Sequence, residues 1–225
     1  MGKAIRSLFA ADAFLDRKLG YPSRDLYKFL YAWDFDQADL ADAPLMAADA
    51  ERDRVSEAWA TRTRDPAAAM GVLEWAAGQG SIGAMVDLAW CYKAGEGVGA
   101  DAATAEAWNR RAFEAGSMRG LLSYGRMLSD RGELALAEAV YRVGIQKDFV
   151  PSYYRLACLL LLKSQLREAY RSAQPLFERA VAGGSPLARW HYGKYLLKGR
   201  YGLSNIPRGH AMMIGLVIGK NSVPT

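Results

Sequence analysis

Small and large apolar residues recur along this chain in columns. Ala84, Gly120, Ser152 and Ala188 are separated by 36, 32 and 36 residues. Four residues on, the column reads Leu88, Tyr124, Leu156, Tyr192. The next reads Ala89, Gly125, Ala157, Gly193, and three further come Tyr92, Leu128, Leu160, Leu196. Large, small and large residues at i, i+1 and i+4 make one packing face of an α-helix, on which the small residue admits a neighbouring helix. A second helix follows in each period. Its columns are Ala69, Ala105, Ala137, Ala173 and Ala76, Ala112, Gly144, Ala180, with Trp108, Val140, Tyr141, Leu176 and Phe177 between them.

Boundary signals agree with these helices. Asp65-Pro66 and Ser185-Pro186 are N-caps followed by proline at the first helical position, and Asp101 and Ser117 are further caps. Gly80, Gly116 and Gly183-Gly184 stand where helices end. Pro175 lies inside a second helix and predicts a bend there. No stretch sustains a period of two, so no strand is predicted. The pattern predicts an all-α chain of helix pairs, each burying its face on its neighbours.

The stretch 84–116 reads AMVDLAWCYKAGEGVGADAATAEAWNRRAFEAG. Its Leu88, Ala89, Tyr92, Gly95, Gly97, Val98, Asp101, Trp108, Ala112, Ala115 and Gly116 resemble the unit of the Sel-one-like repeat family, a relative of the tetratricopeptide repeat. The resemblance covers about 66–220, in units of 66–80 (partial), 81–117, 118–148, 149–184 and 185–220. The units at 118–148 and 149–184 lack the glycine loop, and the last unit regains one at Gly199–Leu203. The resemblance implies an α-solenoid, a right-handed superhelix of antiparallel helix pairs. It also implies a non-catalytic scaffold for protein–protein interaction.

Residues 1–65 fall outside the repeats and predict a helical N-terminal cap, as a stack needs a shielded end. Ile5, Leu8 and Phe9 start one helix, ending near Gly20. Tyr21-Pro22-Ser23 reads as a turn whose Ser23 caps the next helix, and Leu26, Phe29, Leu30 and Trp33 give that helix an amphipathic face. Asp34, Asp36, Asp39 and Asp42, ahead of Pro44, read as an acidic solvated connector. They do not form a calcium loop, because the sixth position from Asp34 is Asp39 rather than glycine and the twelfth is Leu45 rather than glutamate. A helix over about 45–63, with Val55 and Trp59, leads into the repeats.

Composition narrows the class. The 225 residues are 51% hydrophobic and 24% charged, which fits a globular protein and not a disordered one. The longest apolar run, Leu156–Leu162, is far short of a membrane span. Asp12 and Asp16 interrupt the place of a signal-peptide core, Arg6 breaks the myristoylation pattern, and two cysteines make no disulfide framework. The expected setting is bacterial and cytoplasmic. The net charge of +5 conceals an asymmetry: residues 1–117 carry 13 Lys or Arg against 18 Asp or Glu, and residues 118–225 carry 16 against 6. Such a split points to an acidic ligand, an anionic surface, or the chain's own acidic half.

Catalytic motifs are scarce. Gly95–Ala100 matches a dinucleotide fingerprint in letters only, since a helix precedes it where a strand is required. There is no phosphate-binding loop and no nucleophile elbow. Cys91, Cys158, His191 and His210 are too scattered for a zinc site and form no evident dyad. No catalytic residue, metal or cofactor is expected.

By analogy with tetratricopeptide stacks, the first helices line a concave groove. Its columns are Val86, Leu122, Tyr154, Trp190 and Trp90, Arg126, Cys158, Lys194, bordered by Lys93 and Arg119. Aromatic and arginine side chains commonly dominate interface energy, and arginine pairs bidentately with carboxylates. The expected partner is an acidic protein or peptide. Packing between helices is the plain alternative for Trp90 and Trp190. A second candidate surface is the last helix, where Met212, Met213, Ile214, Leu216, Val217 and Ile218 leave it apolar nearly all round, pointing to a homo-oligomer or a partner. Binding of an anionic glycan or nucleic acid by the basic half ranks second, with nucleic acid the less expected of the two. An enzyme with a site between cap and groove ranks third.

Overall fold

The computed structural model describes residues 24–164 and 166–218, and their side chains over 32–164 and 166–214. Eleven α-helices are found among the described residues: α1 (Arg24–Ala47), α2 (Arg52–Thr61), α3 (Pro66–Gly78), α4 (Ile82–Ala94), α5 (Ala102–Glu114), α6 (Met118–Arg131), α7 (Leu134–Gln146), α8 (Val150–Lys163), α9 (Arg167–Ala182), α10 (Pro186–Leu197) and α11 (Ile206–Ile218). No strand occurs among these residues. The first-helix columns fall on α4, α6, α8 and α10. The second-helix columns fall on α3, α5, α7 and α9.

The caps form as their chemistry requires. Asp65 accepts from the Ala68 amide, Asp101 from the Ala103 and Thr104 amides, Ser185 from Ala188 and Ser117 from Gly120. Ser81 likewise caps α4 through the Ala84 amide.

The chain divides into two compact units. The first comprises 35–131 and 135–144. The second holds the described residues of 24–34, 132–134 and 145–218. In the first unit α2 to α6 pack consecutively, around Leu73, Ala76, Ala84, Leu88 and Ala112. In the second, α8 to α11 pack consecutively, around an aromatic core in which the Phe177 and Tyr192 rings stack 5.8 Å apart. The repeat's small column is explained by close approach. A Cβ on Gly125 would lie 2.6 Å from the Tyr141 ring, and one on Gly120 would lie 2.6 Å from the Phe113 backbone nitrogen. Both units are built from consecutive packed helix pairs, an all-α solenoid construction.

The N-terminal region departs from its reading. The acidic stretch is not a solvated connector: Asp34 to Asp42 belong to the single helix α1, which runs through Pro44 to Ala47. Asp34 and Asp42 are fully buried. The following helix is Arg52–Thr61, shorter than the expected 45–63. Carboxylates tolerate such burial only when a cation or amide donors meet them, and the sequence alone gives no sign of those partners. The helix expected over 1–20, the turn at Tyr21–Ser23, and the side chains of Leu26, Phe29 and Leu30 lie outside the described residues.

Candidate functional site

In the first unit, the end of α1 supplies acidic ligands to α6. The Asp42 carboxylate accepts from the Ser117 hydroxyl at 2.6 Å, the Met118 amide at 2.6 Å and the Arg119 amide at 3.1 Å. The two amides are donors that a helix start leaves without intrahelical partners, and the helix dipole favours a negative charge there. Three residues earlier, Asp39 grips the Arg119 guanidinium at 2.6 and 2.8 Å. In the second unit, Asp34 of the same helix pairs with Arg155 of α8. Burial pushes the Asp34 carboxyl above its usual range, against the pull of Arg155. Part of the basic half's charge is therefore answered by the chain's own acidic half.

A cavity of about 280 Å³ lies in the first unit, between the end of α1, α2, α4 and Arg119 of α6. Trp59, Val55, Met46 and Val86 form apolar walls, and the Asp87 carboxyl reaches it from α4. Burial raises Asp87 to about 7, against the opposing fields of Arg119 and Arg62. Asp49, also at the cavity, accepts from the Ser81 hydroxyl at 2.6 Å.

Beside the cavity, Trp59 and Trp90 meet edge to face, with centroids 5.2 Å apart. The Arg62 guanidinium lies 3.8 Å from the Trp59 centroid and 3.2 Å from Glu96. Trp90 remains 41% exposed. At the end of α4, desolvation and the Arg126 charge hold Lys93 below the usual lysine range, against Asp130.

The expected groove residues thus have different surroundings. In the first unit, Val86 and Arg119 line the cavity, Trp90 is exposed, Lys93 lies in the field of Arg126, and Leu122 is buried. In the second unit, Tyr154, Trp190 and Lys194 are buried and Cys158 is half-buried. The Tyr154 hydroxyl and His191 Nδ1 share a hydrogen bond at 3.0 Å. The Lys194 ammonium lies 5.4 Å from the Trp190 centroid. On the last helix, Met212 and Met213 are buried and Ile214 is exposed, while the side chains of Leu216, Val217 and Ile218 lie outside the described residues. Trp59 enters the sequence reading only as an apolar position of the helix leading into the repeats, and Arg62 and Asp87 do not enter it. Asp87 and Val86 are adjacent on α4, so the groove column pointed to the place but not to the acid.

Among the described residues no helix is long and apolar enough to cross a membrane, and no group of three or more His, Cys, Asp or Glu could hold a metal ion.

No protein-family model matches the sequence, and no curated protein matches it. The structure is similar to the crystal structure of a protective antigen present in uropathogenic Escherichia coli strains, described as displaying an SLR (Sel-one-like repeat) fold. The TM-score is 0.57 at 22% identity, over 69% of this chain and 34% of that one. The chain spans about a third of that protein's length. The likeness establishes the fold alone: an all-α solenoid like that of the SLR-fold protein.

Proposed function

We propose that this chain is a non-catalytic scaffold that binds an acidic segment of another protein through the first-helix face of the first unit. One observation carries this reading: Trp90 is open to solvent on α4, three residues before Lys93, whose ammonium lies in the field of Arg126. A large aromatic supplies apolar area at little entropic cost, and two neighbouring cations favour carboxylates. Val86, Trp90 and Lys93 lie at i, i+4 and i+7 on α4, with Arg119 and Arg126 seven apart on α6, so each set shares a helix face. An SLR-fold repeat array is a natural carrier for such a face, because stacked helix pairs create extended binding surfaces.

An anionic glycan or nucleic acid is the weaker reading. Arg119, Arg155, Arg179 and Arg208 each already face a carboxylate, on Asp39, Asp34, Asp148 and Glu178. The cationic surface left for a polyanion is smaller than the charge count suggests.

The test is titration of the full chain with acidic peptides and with composition-matched neutral ones, followed by affinity capture with the same variants. Acidic peptides should bind, more weakly at high salt, and Trp90→Ala with Arg126→Ala should abolish both peptide binding and capture. Equal binding of neutral peptides, or unchanged capture by the double variant, would overturn the assignment.

A further inference from the structure

The cavity of the first unit poses a problem of charge. Its lining holds three carboxylates, Asp39, Asp49 and Asp87, and two guanidiniums, Arg52 and Arg119. Asp39 and Arg119 satisfy each other, and Asp49 is held by Ser81 and by the Glu51 amide. The Asp87 carboxyl makes no hydrogen bond or ion pair among the described residues. The two cations that influence it are both committed, Arg119 to Asp39 and Arg62 to Glu96, and Arg52, the other guanidinium of the lining, makes no ion pair with it. A partly buried carboxyl against apolar walls is costly unless a donor reaches it.

We propose that this cavity receives an organic cation, an alkylammonium or alkylguanidinium group, whose charged end pairs with Asp87 while its alkyl stem lies between Trp59 and Val86. A volume of about 280 Å³ accommodates one lysine- or arginine-sized chain with a few waters, each water needing roughly 30 Å³. The walls suit the stem of such a chain, which packs on apolar surface while its head seeks a polar group. A bare metal ion does not fit, since no three potential ligands converge among the described residues.

The charge state of Asp87 sets the pH dependence. Asp39 and Arg119 face it from α1 and α6, Asp49 and Arg52 from the turn into α2, Arg62 from the end of α2, and Cys91 lies one turn along α4. Burial raises the Cys91 thiol to about 11. Asp87, held near 7, is largely neutral at about pH 6 and charged at about pH 8.5. Cation binding should therefore strengthen as pH rises through neutrality.

The site is independent of the acidic-segment reading, because a small cation tests it without a partner. Calorimetric titration of the full chain with butylammonium and butylguanidinium, at pH 6 and pH 8.5, should show binding at least about fivefold tighter at the higher pH. Neutral butylurea should not bind. Asp87→Asn should lose about tenfold or more, the scale of one charged hydrogen bond. Equal binding of butylurea, no pH dependence, an unaffected Asp87→Asn variant, or no binding of either cation would overturn the proposal. The pH and isostere comparisons use the native chain, so they decide the matter even where the variant fails to fold. Nα-acetyl-lysine amide and Nα-acetyl-arginine amide separate the sources. Tighter binding than the bare amines assigns the site to a partner's side chain, and weaker binding to a free amine.

Discussion

Trp90 and Lys194 occupy the same column of the repeat, one in each unit, and their environments are opposite. The apolar indole is 41% exposed, whereas the ammonium-bearing side chain is 2% exposed. The preceding column shows a related contrast: Val86 borders a cavity and Trp190 is buried. Register fixes where a side chain points on its helix. It does not fix what lies over it. The first unit leaves its first-helix face open around Trp90 and Lys93, and the second unit has closed the matching positions.

The largest test of that contrast compares the two tryptophans. Trp190→Ala removes a buried ring and should cost about 3–5 kcal/mol. Trp90→Ala removes an exposed ring that meets Trp59 edge to face, and should cost about 1 kcal/mol. Urea denaturation of both variants reads the difference. Equal losses would mean that Trp90 is a core residue and that the first-helix face is closed in both units.

The next pair shares another column. Gly120 sits against backbone, with an added Cβ falling 2.6 Å from Phe113 N and 2.9 Å from Ala112 C. Backbone cannot step aside as a side chain can, so Gly120→Ala should destabilise by about 2–3 kcal/mol. The equivalent residue in the second unit is Ser152, fully buried, whose hydroxyl has no hydrogen-bond partner among the described residues. Ser152→Ala deletes an unsatisfied group and should be neutral or stabilise by up to about 1 kcal/mol. Thermal unfolding of the two variants should move in opposite directions, or downward for Gly120→Ala alone.

These positions also show what the sequence could disclose. Helices, caps and columns were legible because each rests on local chemistry: Asp101 caps α5 with its own side chain, and Ala105 and Ala173 are buried where their period puts them. The fate of the acidic stretch was not. Asp42 meets its donors 75 to 77 residues away, and Asp34 its arginine 121 residues away. Nothing local distinguishes such a carboxylate from a solvated one. The candidate cavity was half legible for the same reason. Val86 belongs to a column and Arg119 to the border of the columns, but Trp59 and the end of α1 lie outside the repeat.

The smallest predicted effect probes how the open face is kept in balance. The Asp39–Arg119 pair is bidentate yet substantially exposed. Exposed pairs recover little free energy in water, so Asp39→Ala should cost only about 0.2–1 kcal/mol. Its electrostatic consequence is larger than its stability cost. Arg119 already lowers the Asp87 carboxyl from α6. Without Asp39 that cation is no longer neutralised, and a negative charge has left the same cavity. Both changes favour the ionised form of Asp87, so its titration should move down from about 7. Carbon-13 NMR of the Asp87 carboxyl in the Asp39→Ala chain reads this directly. A downward shift with an almost unchanged melting temperature would identify Asp39 as the group that keeps Arg119 from satisfying Asp87. An unmoved titration would mean that the two arginines near Asp87 act on it weakly, and that burial alone holds the acid near neutrality.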